Sequence, residues 1–217
     1  MNNVGPLPLV FAEIDRIVLG LSKKGLRSAD FDLRSLVVVW GQEAEKYLLR
    51  CLLSSIDFSA DVRGQPKDSS QAQLLSHIFA NNISKPSFSS NFCFAFDTPL
   101  AKAGKQKNRT SPTSLTALCR TLRFTCVQEV LCAFAVLHSS RADIRQQALD
   151  YLKKRLPELV EAYINPETSR ETGLQECSVD TLHFIATHLI DSSGKFGVSK
   201  DLKERFIASL RKGNGGF

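Results

Sequence analysis

Apolar residues recur along the first segment of the chain at steps of three and four, the spacing of one face of an α-helix. Pro6 and Pro8 suit the start of such a helix, and Gly25 suits its end. The pattern therefore predicts a helix that buries one stripe of side chains: Leu7, Val10, Phe11, Ile14, Ile17, Val18 and Leu21.

The same period continues on both sides of Gly41. It predicts a helix over about residues 32–40 and a second helix that ends near residues 56–58. The run Val37–Val39 is β-branched and is the strongest hint of a strand in the chain. Because the run lies inside a pattern of helical length, we assign it to a helix that Gly41 interrupts.

Several later helices have recognisable ends. Thr125 and Gln128 have the spacing of a capping box, in which each side chain bonds the other residue's backbone. Ser178 and Ser199 are placed to cap two further helices. Pro157 is expected to interrupt its helix or to begin a new turn, because proline lacks the amide hydrogen that a helix needs.

These patterns together predict nine or ten helices and no sheet. The spacing of about forty residues per helix pair resembles that of HEAT-type solenoids, although no internal repeat is clear in the sequence. We therefore predict an all-α fold, a HEAT-like helical solenoid of about nine or ten helices. The chain is expected to form a single domain over residues 1–217, with a basic flexible loop at about 98–113.

Charge adds one local feature to this picture. The 217 residues are 43% hydrophobic and 23% charged, as in ordinary globular proteins, and carry a net charge of +6. Residues 98–128 hold six basic and no acidic residues, which leaves 22 of each elsewhere. The cluster is a candidate contact for RNA phosphates or an acidic partner, and the alternative is a solvated loop. Its members are Lys102, Lys105, Lys107, Arg109, Arg120 and Arg123.

Catalytic and metal-binding signatures are not found in the sequence. The six cysteines show no C-x-x-C spacing, and the N-terminus lacks a secretory signal, which favours reduced thiols. His183 and His188 are five residues apart and do not share a helix face, so we expect a core or half-buried His183 and a helix-end His188. We predict no enzyme activity, no metal and no cofactor; a Cys–His site formed in space is the alternative. No apolar run reaches the length of a membrane span.

One segment is rich in phenylalanine. It is expected to be a short helix, and its aromatic side chains either form an exposed docking patch or pack in the core. Core packing is the preferred interpretation because large apolar side chains are usually buried. The four residues are Phe88, Phe92, Phe94 and Phe96.

Seven short strings, in this order and spacing, resemble a known family. They are Tyr47–Leu52, Ile56–Ser59, Val127–Val130, Ala135–Ser140, Asp143–Arg145, Lys154–Leu159 and Phe196–Val198. The order resembles the extreme N-terminus of the scaffold subunit of the CCR–NOT mRNA deadenylase complex. Residues 60–70 and 101–113 depart from the animal members, and the chain stops where family members continue, so we expect a fragment or a short product.

The resemblance implies a non-catalytic helical scaffold. Its partners would be accessory subunits ten and eleven of the complex, one of which is a tetratricopeptide-repeat protein. The complex shortens poly(A) tails, represses translation and affects transcription. A location in the cytoplasm, P-bodies included, or in the nucleus follows from the same resemblance. The alternative function is an RNA-binding helical module that uses the basic region 98–123.

Overall fold

The part of the chain that the structure describes contains nine α-helices, a 3₁₀ helix (Val136–His138), a π-helix (Ile185–Ile190) and no strand. This computed structural model describes residues 7–21, 26–56, 58, 69–98, 100, 114–165, 177–190 and 194–213. The helices are α1 (Leu7–Leu19), α2 (Leu26–Ser55), α3 (Ser70–Asn82), α4 (Pro86–Asp97), α5 (Leu115–Leu122), α6 (Cys126–Ala135), α7 (Ala142–Ile164), α8 (Val179–Phe184) and α9 (Lys200–Gly213). The predicted all-α fold is confirmed.

Packing divides the chain into two compact units. The first comprises Met1–Asn82 and Ser87–Arg123, and the second comprises Ile83–Pro86 and Phe124–Phe217. Within each unit, helices that follow one another along the chain pack together, α1 on α2 and α2 on α3 in the first, α6 on α7 in the second. This is the pairing that a helical solenoid predicts. A single domain over residues 1–217 stays a prediction.

Helix α2 consists of two arms joined at Gly41. The glycine has φ 67° and ψ −151°, a conformation that costs other residues much more than glycine. The sequence placed the break correctly, but the first arm begins at Leu26 instead of near residue 32. The earlier start places Ala29 on the same buried face as Leu33.

Helix α4 supplies an aromatic core to the first unit. Phe88 and Phe92 are buried with Phe79 of α3, and the Phe79 and Phe92 ring centroids lie 5.1 Å apart in an edge-to-face arrangement. Aromatic pairs of this geometry add about 0.5–1.5 kcal/mol to the burial itself. Phe96 is buried as well, whereas Phe94 is exposed. Core packing is therefore confirmed for three of the four phenylalanines.

The second unit is organised around α6 and the long helix α7. The capping box is present: Gln128 N donates to Thr125 Oγ1 at 3.3 Å, and Thr125 N donates to Gln128 Oε1 at 2.9 Å. Helix α6 buries most of its circumference, as its sequence predicted. Its Phe134 meets Phe184 of α8 edge to face at 5.6 Å. The predicted caps Ser178 and Ser199 also accept backbone hydrogen bonds.

Helix α7 continues through Pro157, so the expected interruption there was wrong. Pro157 cannot donate to the Lys153 carbonyl, which lies four residues earlier. Gly197 packs against this turn: a Cβ at Gly197 would lie 3.1 Å from Lys153 O and 3.5 Å from Pro157 Cγ. Gly197 also has φ 78°. A glycine at this point lets the backbone approach the proline turn closely.

Candidate interaction surface

Three apolar side chains form an exposed stripe on the first arm of α2. Phe31 is 72% exposed, Val38 is 83% exposed and Val39 is 72% exposed. Phe31 and Val38 are seven residues apart, which is two helical turns or about 10 Å along the axis. The three residues therefore lie near one another on one side of the arm, and we call them the α2 stripe.

The opposite side of the arm explains why the stripe faces outward. Ala29 and Leu33 are fully buried, and Trp40 is half-buried. At 100° per residue these positions lie about half a turn away from Phe31 and Val38. The arm thus has a core face and, unlike an ordinary amphipathic surface helix, a second apolar face that nothing in the described residues covers.

The composition of the stripe is unfavourable for an isolated protein. Valine loses side-chain freedom in a helix, and at exposed positions it gains no packing in return. Alanine at Val38 or Val39 would be the better helix former by about half a kcal/mol. Clustered exposed apolar residues, as opposed to scattered ones, mark interaction sites. We therefore take the stripe as the candidate interaction surface.

Polar contacts on the neighbouring turn hold the arm in place. Arg34 Nε lies 2.8 Å from Asp30 Oδ2, and Nε2 of His77 on α3 lies 3.5 Å from the same oxygen. Asp30 Oδ1 is buried without a hydrogen-bond donor among the described residues. Because burial disfavours an uncompensated carboxylate, Arg34 stabilises Asp30 from within α2, and the contact with His77 ties α2 to α3.

The second arm is anchored on α1 by a phenol. Tyr47 OH donates to Asp15 Oδ2 at 2.8 Å, and the Tyr47 ring stacks on Phe11 with centroids 4.1 Å apart. Partial burial, followed by the hydrogen bond to the Asp15 carboxylate, raises the pKa of Tyr47 to about 12. The phenol therefore stays a neutral donor at physiological pH, and α1 and the second arm present a fixed framework for the stripe.

The basic residues predicted as contacts do not form a described cluster. Arg120 and Arg123 are exposed at the end of α5. Arg123 adopts φ 53°, and its backbone N–H donates to Arg120 O at 3.1 Å. Arg123 therefore terminates α5 in the left-handed conformation, a structural role that its charge did not suggest. The other four, Lys102, Lys105, Lys107 and Arg109, lie outside the described residues.

The cysteines are free thiols, as the sequence predicted. Four are buried, and Cys126 and Cys177 are half-buried. Arg155 Nη2 donates to Cys126 Sγ at 3.3 Å, and this contact is the main cause that raises the pKa of Arg155. The described residues contain no group of three or more His, Cys, Asp or Glu side chains that could hold a metal ion.

The histidines occupy unrelated surroundings. His183 is exposed on α8, so its predicted core or half-buried position was wrong; its neighbours Leu182 and Phe184 take the buried positions instead. His188 is half-buried, with its ring centroid 4.7 Å from that of Phe184.

Among the helices in the described ranges, none has the length and apolar character that crossing a membrane requires.

The comparison with protein families decides which class of protein carries this surface. Residues 26–212 match the N-terminal domain of CCR4-NOT transcription complex subunit 1. The chain belongs to this family. The match begins at the first residue of α2 and therefore includes the whole α2 stripe. Membership confirms the resemblance seen in the short strings, and it implies interaction with other subunits of the CCR4-NOT complex.

Proposed function

We propose that the chain is a non-catalytic scaffold module of the CCR4-NOT complex. It docks accessory subunits ten and eleven and supports poly(A) shortening and translational repression. Family membership supports the role in the complex. The observation that supports docking is the α2 stripe, an apolar face on a helix whose opposite face is already buried.

The physical basis of docking is burial of the stripe by a partner helix. Each of these side chains contributes about 1.5–3 kcal/mol when it passes from water into an apolar contact. Arg34 and Ser35 are exposed and lie along the helix between Phe31 and Val38, so they supply polar contacts between the apolar anchors. In protein interfaces a few such anchors carry most of the binding energy.

Binding of the purified accessory subunits tests this function. The variant Phe31→Ala with Val38→Asp removes the anchor at one end of the stripe and places a charge at the other end. We expect affinity to fall by at least about 30-fold, the loss typical of an interface anchor. The control is Val179→Asp, because Val179 is the exposed apolar residue of α8 in the second unit.

Two outcomes distinguish a failure of the docking function from a failure of the α2 stripe as the docking site. Failure of the unaltered chain to bind either subunit, under conditions where the full scaffold binds, would contradict the docking function. Equal binding by the stripe variant and by Val179→Asp would retain docking and reject the stripe. Circular dichroism before binding shows that each variant is folded.

A further inference from the structure

The exposed ring of Phe94 lies on a different surface from the α2 stripe. Phe88, Phe92 and Phe96 follow one another at steps of four and face the core, whereas Phe94 lies about half a turn away and is 44% exposed. No packing requirement in the described part of the chain accounts for an aromatic residue at this position.

Two cationic side chains of α2 flank this ring. Lys46 Nζ lies 5.5 Å and Arg50 Cζ 5.9 Å from the ring centroid, within the range of a cation–π contact. The Nε of Arg50 donates to Thr98 O at 2.6 Å, which fixes the guanidinium beside α4. Lys46 pairs with the exposed Glu43 at 2.8 Å. Phe94, Lys46 and Arg50 thus form a preorganised group, which we call the Phe94 patch.

We propose that the Phe94 patch binds single-stranded RNA. A base stacks on the exposed part of the Phe94 ring, and adjacent phosphates contact Lys46 and Arg50, with a phosphate taking the place of Glu43 at Lys46. Stacking on an aromatic ring tolerates every base, since each base has a π-face. This activity goes beyond the docking of protein subunits and uses none of the α2 stripe.

An acidic polypeptide fits the patch less well than RNA does. Carboxylates would pair with Lys46 and Arg50, but the face of a phenyl ring carries partial negative charge and does not attract them. A nucleotide supplies both a flat ring and a phosphate, so it satisfies all three members of the patch at once.

The charge of the neighbouring sequence favours the same ligand. Leu100 is held against α2, with its backbone N donating to Ser54 Oγ at 2.9 Å. From Thr98 to Gln128 the chain carries six basic residues and no acidic residue. The sequence that follows α4 is therefore strongly basic, and positive charge attracts a polyanion.

Fluorescence anisotropy with a labelled single-stranded oligoadenylate tests the proposal on the full chain. The variant Phe94→Ala should lose about 5- to 150-fold in affinity, the range measured for single stacking contacts. Phe94→Tyr keeps the ring and should bind as the unaltered chain does. Arg50→Gln should reduce the salt dependence of RNA binding by about the amount that one phosphate contact contributes. A duplex RNA of the same length should bind more weakly because its bases are already stacked.

Matched controls make the result decisive. Phe31→Ala removes an even more exposed ring, which belongs to the α2 stripe, and should leave RNA affinity unchanged. Undetectable RNA binding by the folded chain at low salt would overturn the proposal, and so would equal affinities of Phe94→Ala and the unaltered chain. If polyglutamate displaces the RNA as well as unlabelled RNA does, the patch is a site for acidic proteins and the proposal is wrong. Unchanged melting curves show that the variants remain folded.

Discussion

Both units contain fully buried large apolar side chains, and they differ in what they leave on the surface. Large apolar side chains that are exposed lie almost entirely in the described part of the first unit, where they are Leu7, Leu9, Leu19, Phe31, Val38, Val39 and Phe94. In the described part of the second unit, Val179 is the one such residue. The first unit therefore carries the candidate surfaces, and the second has the ordinary polar exterior of a structural element.

Incomplete packing does not explain the difference. Phe79 and Phe92 in the first unit are as fully buried as Phe206 in the second, and each makes an edge-to-face contact with another ring. A core that is already filled has no need of Val38 or Val39. The exposed residues of the first unit are better explained by partners than by a fold that failed to enclose them.

The largest losses of stability should follow from substitutions in the aromatic cores, and these losses should be similar in the two units. Phe92→Ala and Phe206→Ala each remove a fully buried ring, so each should lower the free energy of unfolding by about 3–5 kcal/mol. Urea denaturation followed by circular dichroism measures both. A loss below about 1 kcal/mol at either site would show that its unit lacks the close-packed core assigned to it.

The next largest loss of stability should come from disturbing the close approach of Gly197 to Pro157. Both residues belong to the second unit. Gly197→Ala combines an unfavourable positive φ with a Cβ 3.1 Å from Lys153 O, and it should cost about 1–3 kcal/mol. Gly194→Ala is the matched control: Gly194 has φ 68°, and a Cβ there meets nothing within 4 Å. Thermal melts should rank Gly197→Ala clearly below Gly194→Ala. Equal losses would mean that the turn and α7 do not approach closely.

A smaller loss of stability is expected when the capping box of α6 is removed. Thr125→Ala leaves the backbone N–H of Gln128 without its acceptor and should cost about 1 kcal/mol. Thr125→Ser keeps the hydroxyl and should retain most of that stability. Denaturation midpoints of the two variants provide the test, and the cap would have no role if serine and alanine were equally destabilising.

Local features of this fold were predictable because their physics is local. The capping box depends on Thr125 and Gln128, three residues apart, and the break at Gly41 depends on one residue. The continuity of α7 through Pro157 was not predictable in the same way. It coincides with a close approach from Gly197, forty residues later, which no short-range pattern reports.

The candidate surfaces were harder to predict than the helices. A valine that faces a partner and a valine that faces the core look identical in a sequence, so Val38 gave no signal of its exposure. Phe94 did give one: it lies two residues from Phe92, outside the four-residue spacing of the buried rings. Lys46 and Arg50 carried no such signal, because they approach Phe94 only through the packing of α2 beside α4.

The smallest expected effect is also the sharpest test of the comparison between the units. Val38→Ala removes a β-branched residue from an exposed helical site, so it should leave stability within about 0.5 kcal/mol or raise it slightly. Leu33→Ala on the buried face of the same arm should instead cost about 2–5 kcal/mol. Urea denaturation of the two variants measures the contrast within one helix. If Val38→Ala were destabilising by more than about 1 kcal/mol, Val38 would be part of the core. The first unit would then have no surplus apolar face for a partner to cover, because the stripe would already serve the stability of the chain itself.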